Sequence, residues 1–209
     1  NKAVSRPLLF SVYNLPESGS RCLVMYDVAG EVYDSFGEIP KYIPSIKKVN
    51  TTWFFVSLRD LEKDDQGKSI TDLFSVYLSG LENMRVDLTN RNLIVVYTKA
   101  DELTLPHQIT DYLREDPFRG LTRKDIKLPE NISFSLDEYR SKMKTISVHL
   151  ERHTQQRVRG GAAFISMVKA SGMNLVFSLT SALGHGSAKD EEGKLLEKAN
   201  PLRVLDPFL

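Results

Sequence analysis

The sequence predicts an α/β protein with a mostly parallel sheet. Five short apolar runs have the length of strands, and segments with helical spacing lie between the later runs. Strands that alternate with helices favour a parallel sheet. Most of the runs are continuously apolar, as expected for strands that are buried on both faces. The predicted strands are residues 8–13, 22–26, 52–58, 93–97 and 175–179.

The first two strands are predicted to form an antiparallel hairpin. They are separated by "NLPESGSR", in which Asn, Pro, Gly and Ser favour turns. Two apolar runs joined by so short a polar segment are typical of a hairpin. This hairpin is therefore expected to be the one antiparallel part of the sheet.

Three later segments have apolar residues at helical spacing. Ser69 and Asp72 at the start of the first, and Ser135 and Glu138 at the start of the second, have the arrangement of a helix start. The third segment, residues 162–170, ends two residues before a glycine, as helices commonly do. These segments supply the helices that a parallel sheet requires.

Residues 102–134 interrupt the alternation of strands and helices. They are polar and irregular in pattern, so we expect an insertion over the edge of the sheet. The chain of 209 residues is long enough to bury one core, and it has no internal repeat. The sequence therefore predicts one elaborated domain.

The composition excludes several classes of partner. The 28 basic and 27 acidic residues leave a formal charge of +1, which gives no bulk attraction to nucleic acid or to an anionic membrane. No apolar run approaches the ~20 residues that a membrane-spanning helix needs. The single cysteine, Cys22, has no partner for an internal disulfide, and a cytoplasmic location is expected.

Polar residues follow three of the predicted strands. In open α/β sheets, ligands bind at the carboxyl ends of the strands. The second strand is followed by "DVAGE" at 27–31, the fourth by "TKAD" at 98–101, and the fifth by "TSALG" at 180–184. Each of these segments has a chemical interpretation as part of a site for a magnesium-bound guanine nucleotide.

"DVAGE" is interpreted as a contact to phosphate and metal. A carboxylate such as Asp27, held by a strand, can bind magnesium through a water molecule beside the phosphates. Gly30 would let its backbone N–H approach the γ-phosphate, because no side chain obstructs the approach. The alternative is that Asp27 only caps a turn at the end of the strand.

"TKAD" is interpreted as the base-recognition segment. The carboxylate of Asp101 can accept hydrogen bonds from both the ring N–H and the exocyclic amine of guanine, a pair of donors that adenine lacks. The stem of Lys99 can cover the face of the base, and Thr98 stands at the start of the segment. The alternative is a solvated loop of mixed charge.

"TSALG" is interpreted as the second contact to the base. The backbone N–H groups of Ser181 and Ala182 are predicted to point toward the carbonyl oxygen of guanine. Small polar residues after a strand are common, so this segment alone carries little weight. The occurrence of all three segments in this order, each at a strand end, indicates a GTPase-type fold.

Four stretches resemble the bacterial double-GTPase group of the TRAFAC-type P-loop GTPases. They are "LVMYDVAGE", "NLIVVYTKADEL", "LVFSLTSALG" and the C-terminal "PLRVLDPFL". The resemblance implies a Ras-like three-layer fold that binds GTP or GDP with magnesium. It also implies a switch or regulatory module in a bacterial conflict or signalling system, with a protein partner or a fused effector domain. In this group the first residue of "TKAD" is usually Asn, from which Thr98 departs.

The resemblance also implies GTP hydrolysis. Glu31 occupies the position where many GTPases carry a Gln that orients the attacking water. Glutamate is an imperfect substitute, so turnover is expected to be slow or dependent on a partner, with Glu31 as the one candidate catalytic residue. The alternative function is that of a pseudo-GTPase, an interaction scaffold without nucleotide turnover.

The phosphate loop that this fold requires does not occur in the sequence. The nearest match, residues 67–69, follows two aspartates that would repel a triphosphate, and Ser69 is better explained as a helix cap. In the GTPase fold the missing loop follows the central strand of the sheet. We therefore expect that strand to precede Asn1, the alternative being that another segment occupies its place in the sheet, and we expect residues 1–209 expressed alone to be aggregated or molten.

Overall fold

A computed structural model gives the arrangement of the chain. The residues that it describes are 8–15, 19–25, 37–42, 44–57, 61, 69–102, 104–117, 136–184, 200–204 and 206–208. The chain divides into two compact units, which we call the hairpin unit (residues 1–49 and 72–87) and the sheet unit (residues 50–71 and 88–209).

The hairpin unit contains the predicted antiparallel pair. Strands β1 (Leu8–Leu15) and β2 (Gly19–Met25) pair antiparallel, with Leu8 opposite Met25. The register shifts once between Val12 and Leu15, which is where the ladder approaches its turn. The prediction of a hairpin is confirmed, but within the described residues this pair forms a two-stranded sheet of its own and not a part of the parallel sheet.

The other elements described in the hairpin unit are helices. A short helix α1 (Ile39–Tyr42) is followed by a 3-10 helix (Pro44–Lys48). Helix α2 (Ile70–Asn83) belongs to the hairpin unit from Asp72 onward and confirms the first predicted helix. Its buried side chains recur at a spacing of three or four, which defines one apolar face. The buried apolar residues of the helix are Ile70, Phe74, Tyr77 and Leu81, and Met84 directly after the helix continues the spacing.

The sheet unit is built on three parallel strands. Their order is β3 (Thr51–Ser57), β4 (Asn92–Thr98) and β5 (Asn174–Leu179). β4 is central and its residues 95–97 are fully buried, as its continuous apolar sequence predicts. The α/β class and the parallel sheet are therefore confirmed.

Strand β3 lies at the edge of this sheet within the described part of the chain. Its Phe55 is 55% exposed, although the apolar sequence of the strand predicts burial. The central strand that the sequence analysis expects before Asn1, the Ras-like order of the sheet, and the failure of residues 1–209 to fold alone all stay predictions.

Helix α3 (His107–Arg114) lies inside residues 102–134, where the sequence predicts an insertion and no helix was identified. The helix buries Ile109, Tyr112 and Leu113, which stand at the spacing of one helical face. Pro106 precedes its first residue, a place where proline costs no helical hydrogen bond. Residues 118–134 of the predicted insertion lie outside the described residues.

Two helices complete the sheet unit and confirm the remaining helix predictions. Helix α4 (Leu136–Arg157) packs against β5 and against helix α5 (Gly161–Ala170). The hydroxyl of Tyr97 on β4 donates to Oγ1 of Thr154, at 2.6 Å, since Thr154 itself donates to the carbonyl of Leu150 at 2.7 Å. This buried chain of hydrogen bonds ties α4 to the centre of the sheet.

No helix in the described ranges has both the length and the apolarity needed to cross a membrane.

Candidate functional site

Two of the predicted nucleotide-binding segments lie side by side at the carboxyl edge of the sheet. β4 and β5 are neighbours and end at the same level, so the loops that follow them meet. We call Lys99–Glu102 the β4 loop and Thr180–Gly184 the β5 loop. The N–H of Ala100 donates to the carbonyl of Thr180 at 3.3 Å, and the N–H of Thr180 donates to Tyr97 at 2.8 Å. The structure therefore brings "TKAD" and "TSALG" together.

The β4 loop has a constrained backbone. The hydroxyl of Thr98 donates to the carbonyl of Val56 on β3, at 3.4 Å, and so braces the start of the loop. The next residue, Lys99, has φ 55°, in the left-handed region that an L-residue other than glycine rarely adopts. Such a conformation costs about 1–3 kcal/mol and persists only where the surroundings impose it. This conformation leads the chain into a 3-10 helix, Ala100–Glu102. Asp101 on this helix is half-buried, and Lys99 before it is exposed.

The β5 loop is paired with the C-terminal part of the chain. Ser181 is 1% exposed, and its N–H donates to the carbonyl of Leu202 at 3.0 Å, while the N–H of Leu202 donates back at 2.9 Å. The Ser181 hydroxyl accepts from the N–H of Gly184 at 2.8 Å, and Ala182 is exposed. A guanine carbonyl could reach the N–H of Ser181 only by displacing Leu202, whereas Ala182 lies at the surface of the loop.

A third strand end carries a buried hydroxyl. Ser57, the last residue of β3, pairs in register with Thr98 at the carboxyl edge of the sheet. Its Oγ is buried and makes no hydrogen bond to the described part of the chain, which is unusual for a buried polar atom. The sequence analysis did not identify Ser57, because a serine at the end of an apolar run has no distinctive pattern.

The predicted phosphate and metal residues cannot be placed. Asp27, Gly30 and Glu31 lie outside the described residues, so the magnesium contact of Asp27, the phosphate contact of Gly30 and the catalytic role of Glu31 stay predictions. Among the residues that are described, no group of three His, Cys, Asp or Glu side chains could hold a metal ion.

A buried arginine near the β5 loop was not identified from the sequence. We call residues 200–204 and 206–208 the tail. Arg203 in the tail is 3% exposed, and its guanidinium carbon lies 3.6 Å from the ring centre of Tyr112 on α3. Its Nε donates to the carbonyl of Tyr112 and its Nη1 to the hydroxyl of Tyr139 on α4, both at 2.8 Å. The signal in the sequence is a pair of opposite charges, Arg203 and Asp206, within the otherwise apolar "PLRVLDPFL".

The tail also buries a carboxylate, Asp206. The hydroxyl of Tyr112 donates to its Oδ2 at 2.5 Å, and the hydroxyl of Tyr139 donates to its Oδ1. Burial raises the pKa of the Asp206 carboxyl, and the two tyrosine hydrogen bonds and the charge of Arg203 offset this only in part. Burial, together with the negative charge of Asp206, raises the pKa of both Tyr112 and Tyr139.

The raised pKa of Asp206 predicts a pH dependence of stability. A carboxyl whose pKa is higher in the folded state binds its proton more tightly there, so its contribution to stability is complete below the unfolded pKa, about 3.9. That contribution is lost as the pH rises through the folded pKa. Asp206→Asn keeps the group neutral, and we expect the free energy of unfolding of this variant, minus that of the wild type, to increase as the pH is raised from about 4 to 7.

Urea denaturation at several pH values measures this difference. Asp137→Asn, which removes an exposed carboxylate from the first turn of α4, is the control for the change in net charge. Parallel pH profiles of wild type and Asp206→Asn would show that Asp206 does not titrate differently in the folded and unfolded states.

Comparison with protein-family models, with curated proteins and with solved structures found no match for this chain. Inference about function therefore depends on the residues and the geometry described above.

Proposed function

We propose that this protein binds guanine nucleotides through the β4 and β5 loops. The observation that carries the proposal is the hydrogen bond from the N–H of Ala100 to the carbonyl of Thr180. It links two segments, predicted separately from the sequence, at the edge of a parallel sheet where α/β proteins bind ligands.

Asp101 is the proposed specificity residue. Its carboxylate accepts two hydrogen bonds from guanine, and with adenine it would face one acceptor and no matching pair of donors. Lys99 is exposed beside it, so its aliphatic stem can lie over the base. Ala182 is exposed, and its N–H is the proposed donor to the guanine carbonyl, with the N–H of Ser181 joining only if Leu202 is displaced.

The wider proposal is a Ras-like GTPase module that binds GTP or GDP with magnesium. In it, Asp27 binds the metal through water, Gly30 contacts the γ-phosphate, and Glu31 supports slow or partner-dependent hydrolysis. Such a module would act in the cytoplasm as a switch or regulatory domain of a bacterial conflict or signalling system, together with a protein partner or effector domain.

A pseudo-GTPase scaffold is the second candidate. The observation that favours it is the hydrogen bond from the N–H of Ser181 to the carbonyl of Leu202. This bond occupies an N–H group that was predicted to donate to the nucleotide. A scaffold would keep the fold and bind no nucleoside.

Titration with nucleosides, followed by amide NMR of the protein, tests the proposal. Guanosine is expected to shift the signals of Lys99–Glu102 and Ala182, and adenosine is expected to leave them in place. Inosine lacks the exocyclic amine, so it should bind about tenfold or more weakly, the value of one hydrogen bond to a charged acceptor. Equal shifts with guanosine and adenosine would refute the base site. If millimolar guanosine did not shift the amide signals of the β4 loop, the scaffold would be favoured.

A further inference from the structure

The tail and the β5 loop form a closely packed pair of backbones. Leu202 exchanges two hydrogen bonds with Ser181, and its carbonyl also accepts from the hydroxyl of Thr180 at 3.1 Å. The N–H of Asn200 donates to the carbonyl of Leu183 at 2.8 Å. The loop therefore has the tail as its partner over most of its length.

Gly184 shows how closely the two backbones approach. It has φ 73°, and a Cβ at this position would lie well under 3.0 Å from the carbonyl oxygen of Asn200. Real Cβ atoms do not come so near to a backbone atom. The conformation of the β5 loop therefore depends on where the tail is held.

Arg203 holds the tail. It follows Leu202 directly, and its side chain stacks on Tyr112 and donates to groups on both α3 and α4. Its own N–H donates to Oδ2 of Asp116 at 2.5 Å. With φ 56°, Arg203 is in a left-handed conformation, which an arginine keeps only when its partners impose it.

A lysine could not make the same set of contacts. The planar guanidinium stacks on a ring and directs several N–H groups at fixed angles, whereas an ammonium is a point charge on a flexible stem. Arg203 uses both properties, because it lies over the ring of Tyr112 while Nε and Nη1 donate in different directions.

We propose that Arg203 is a positioning residue for the β5 loop. By fixing Leu202 against α3 and α4, it sets the conformation in which the loop presents Ala182 beside the β4 loop. The identity of the ligand rests on the proposed function, whereas the effect of Arg203 on the loop does not.

Hydrogen exchange of the protein without any nucleoside tests the positioning itself. In Arg203→Lys and Arg203→Met, amides of Ser181, Gly184 and Leu202 are expected to exchange at least tenfold faster, with the amides of β4 unchanged. Lys169→Met is the control, since it removes from α5 a cation of the same unit whose ion pair, with Glu151 on α4 at 2.7 Å, does not involve the tail. The proposal is overturned if the loop amides of Arg203→Lys stay protected. It is also overturned if, in both variants, the amides of β4 lose as much protection as the amides of the β5 loop, because Arg203 would then support the whole unit.

Guanosine titration of Arg203→Lys separates this proposal from the proposed function. A weaker guanosine response together with the faster loop exchange supports both. Faster loop exchange in a protein whose wild type does not bind guanosine supports the positioning role and refutes the nucleotide site. Unchanged loop exchange refutes the positioning role whatever the nucleoside binding is.

Discussion

Asp101→Asn is expected to change the base preference of the protein from guanine to xanthine. The carboxylate of Asp101 matches two donors of guanine, and an amide replaces one of its acceptor oxygens by a donor. Xanthine has a carbonyl where guanine has the exocyclic amine, so the amide donor then has a partner. The amide keeps one acceptor for the ring N–H but sets a donor against the exocyclic amine of guanine. A hydrogen bond to a charged group is worth about 1.5–3 kcal/mol, so losing the bond to this amine should weaken guanosine binding by about tenfold or more.

Calorimetry or NMR titration with guanosine and xanthosine measures this exchange. Glu102→Gln is the matched control, because it removes a carboxylate from the same 3-10 helix and should leave the preference for guanine intact. If guanosine binds Asp101→Asn as it binds the wild type, Asp101 does not recognise the base.

The sheet and the three long helices could be predicted because their signals are local. The apolar run of β4 and the apolar face of α2 each depend on residues close together in sequence, and both are found where the pattern indicates. Helix α3 was missed because it is short and only Ile109, Tyr112 and Leu113 mark its buried face. Three apolar residues within a polar segment are too few to outweigh its overall character.

In the candidate site too, features that depend on local sequence could be predicted and features that depend on distant contacts could not. The meeting of the β4 and β5 loops follows from the parallel order of two strands, which the sequence predicts. The pairing of Ser181 with Leu202 and the stacking of Arg203 on Tyr112 join residues that are distant along the chain. No periodicity or spacing indicates such contacts, because they depend on how the completed elements pack.

Gly161→Ala is expected to cause a large loss of stability in the sheet unit. Gly161 is the first residue of α5, and a Cβ there would lie well under 3.0 Å from the carbonyl oxygen of Thr154 on α4. A backbone oxygen cannot rotate away as a side chain can. Either α5 must move from α4, or the turn of α4 that includes Thr154 must open, and Thr154 is the residue that bonds Tyr97 in the sheet.

Overpacking of a well-packed core costs about 1–3 kcal/mol and occasionally more. Because the obstacle here is backbone, we expect a loss of about 3 kcal/mol or more in the free energy of unfolding, measured by urea denaturation as a lower midpoint at constant slope.

Gly172→Ala is the matched control for this prediction. Gly172 has φ 78°, so alanine there carries the strain of a left-handed backbone, about 1–2 kcal/mol. Its Cβ would lie at an ordinary 3.8 Å from the Cα of Thr89, however, and so would add no overlap. The two variants therefore separate steric overlap from backbone strain. If Gly161→Ala proved no less stable than Gly172→Ala, the close approach of α5 to Thr154 would not be what fixes α5 against α4. The hydrogen bond between Thr154 and Tyr97 would then have to hold α4 on the sheet without that close approach.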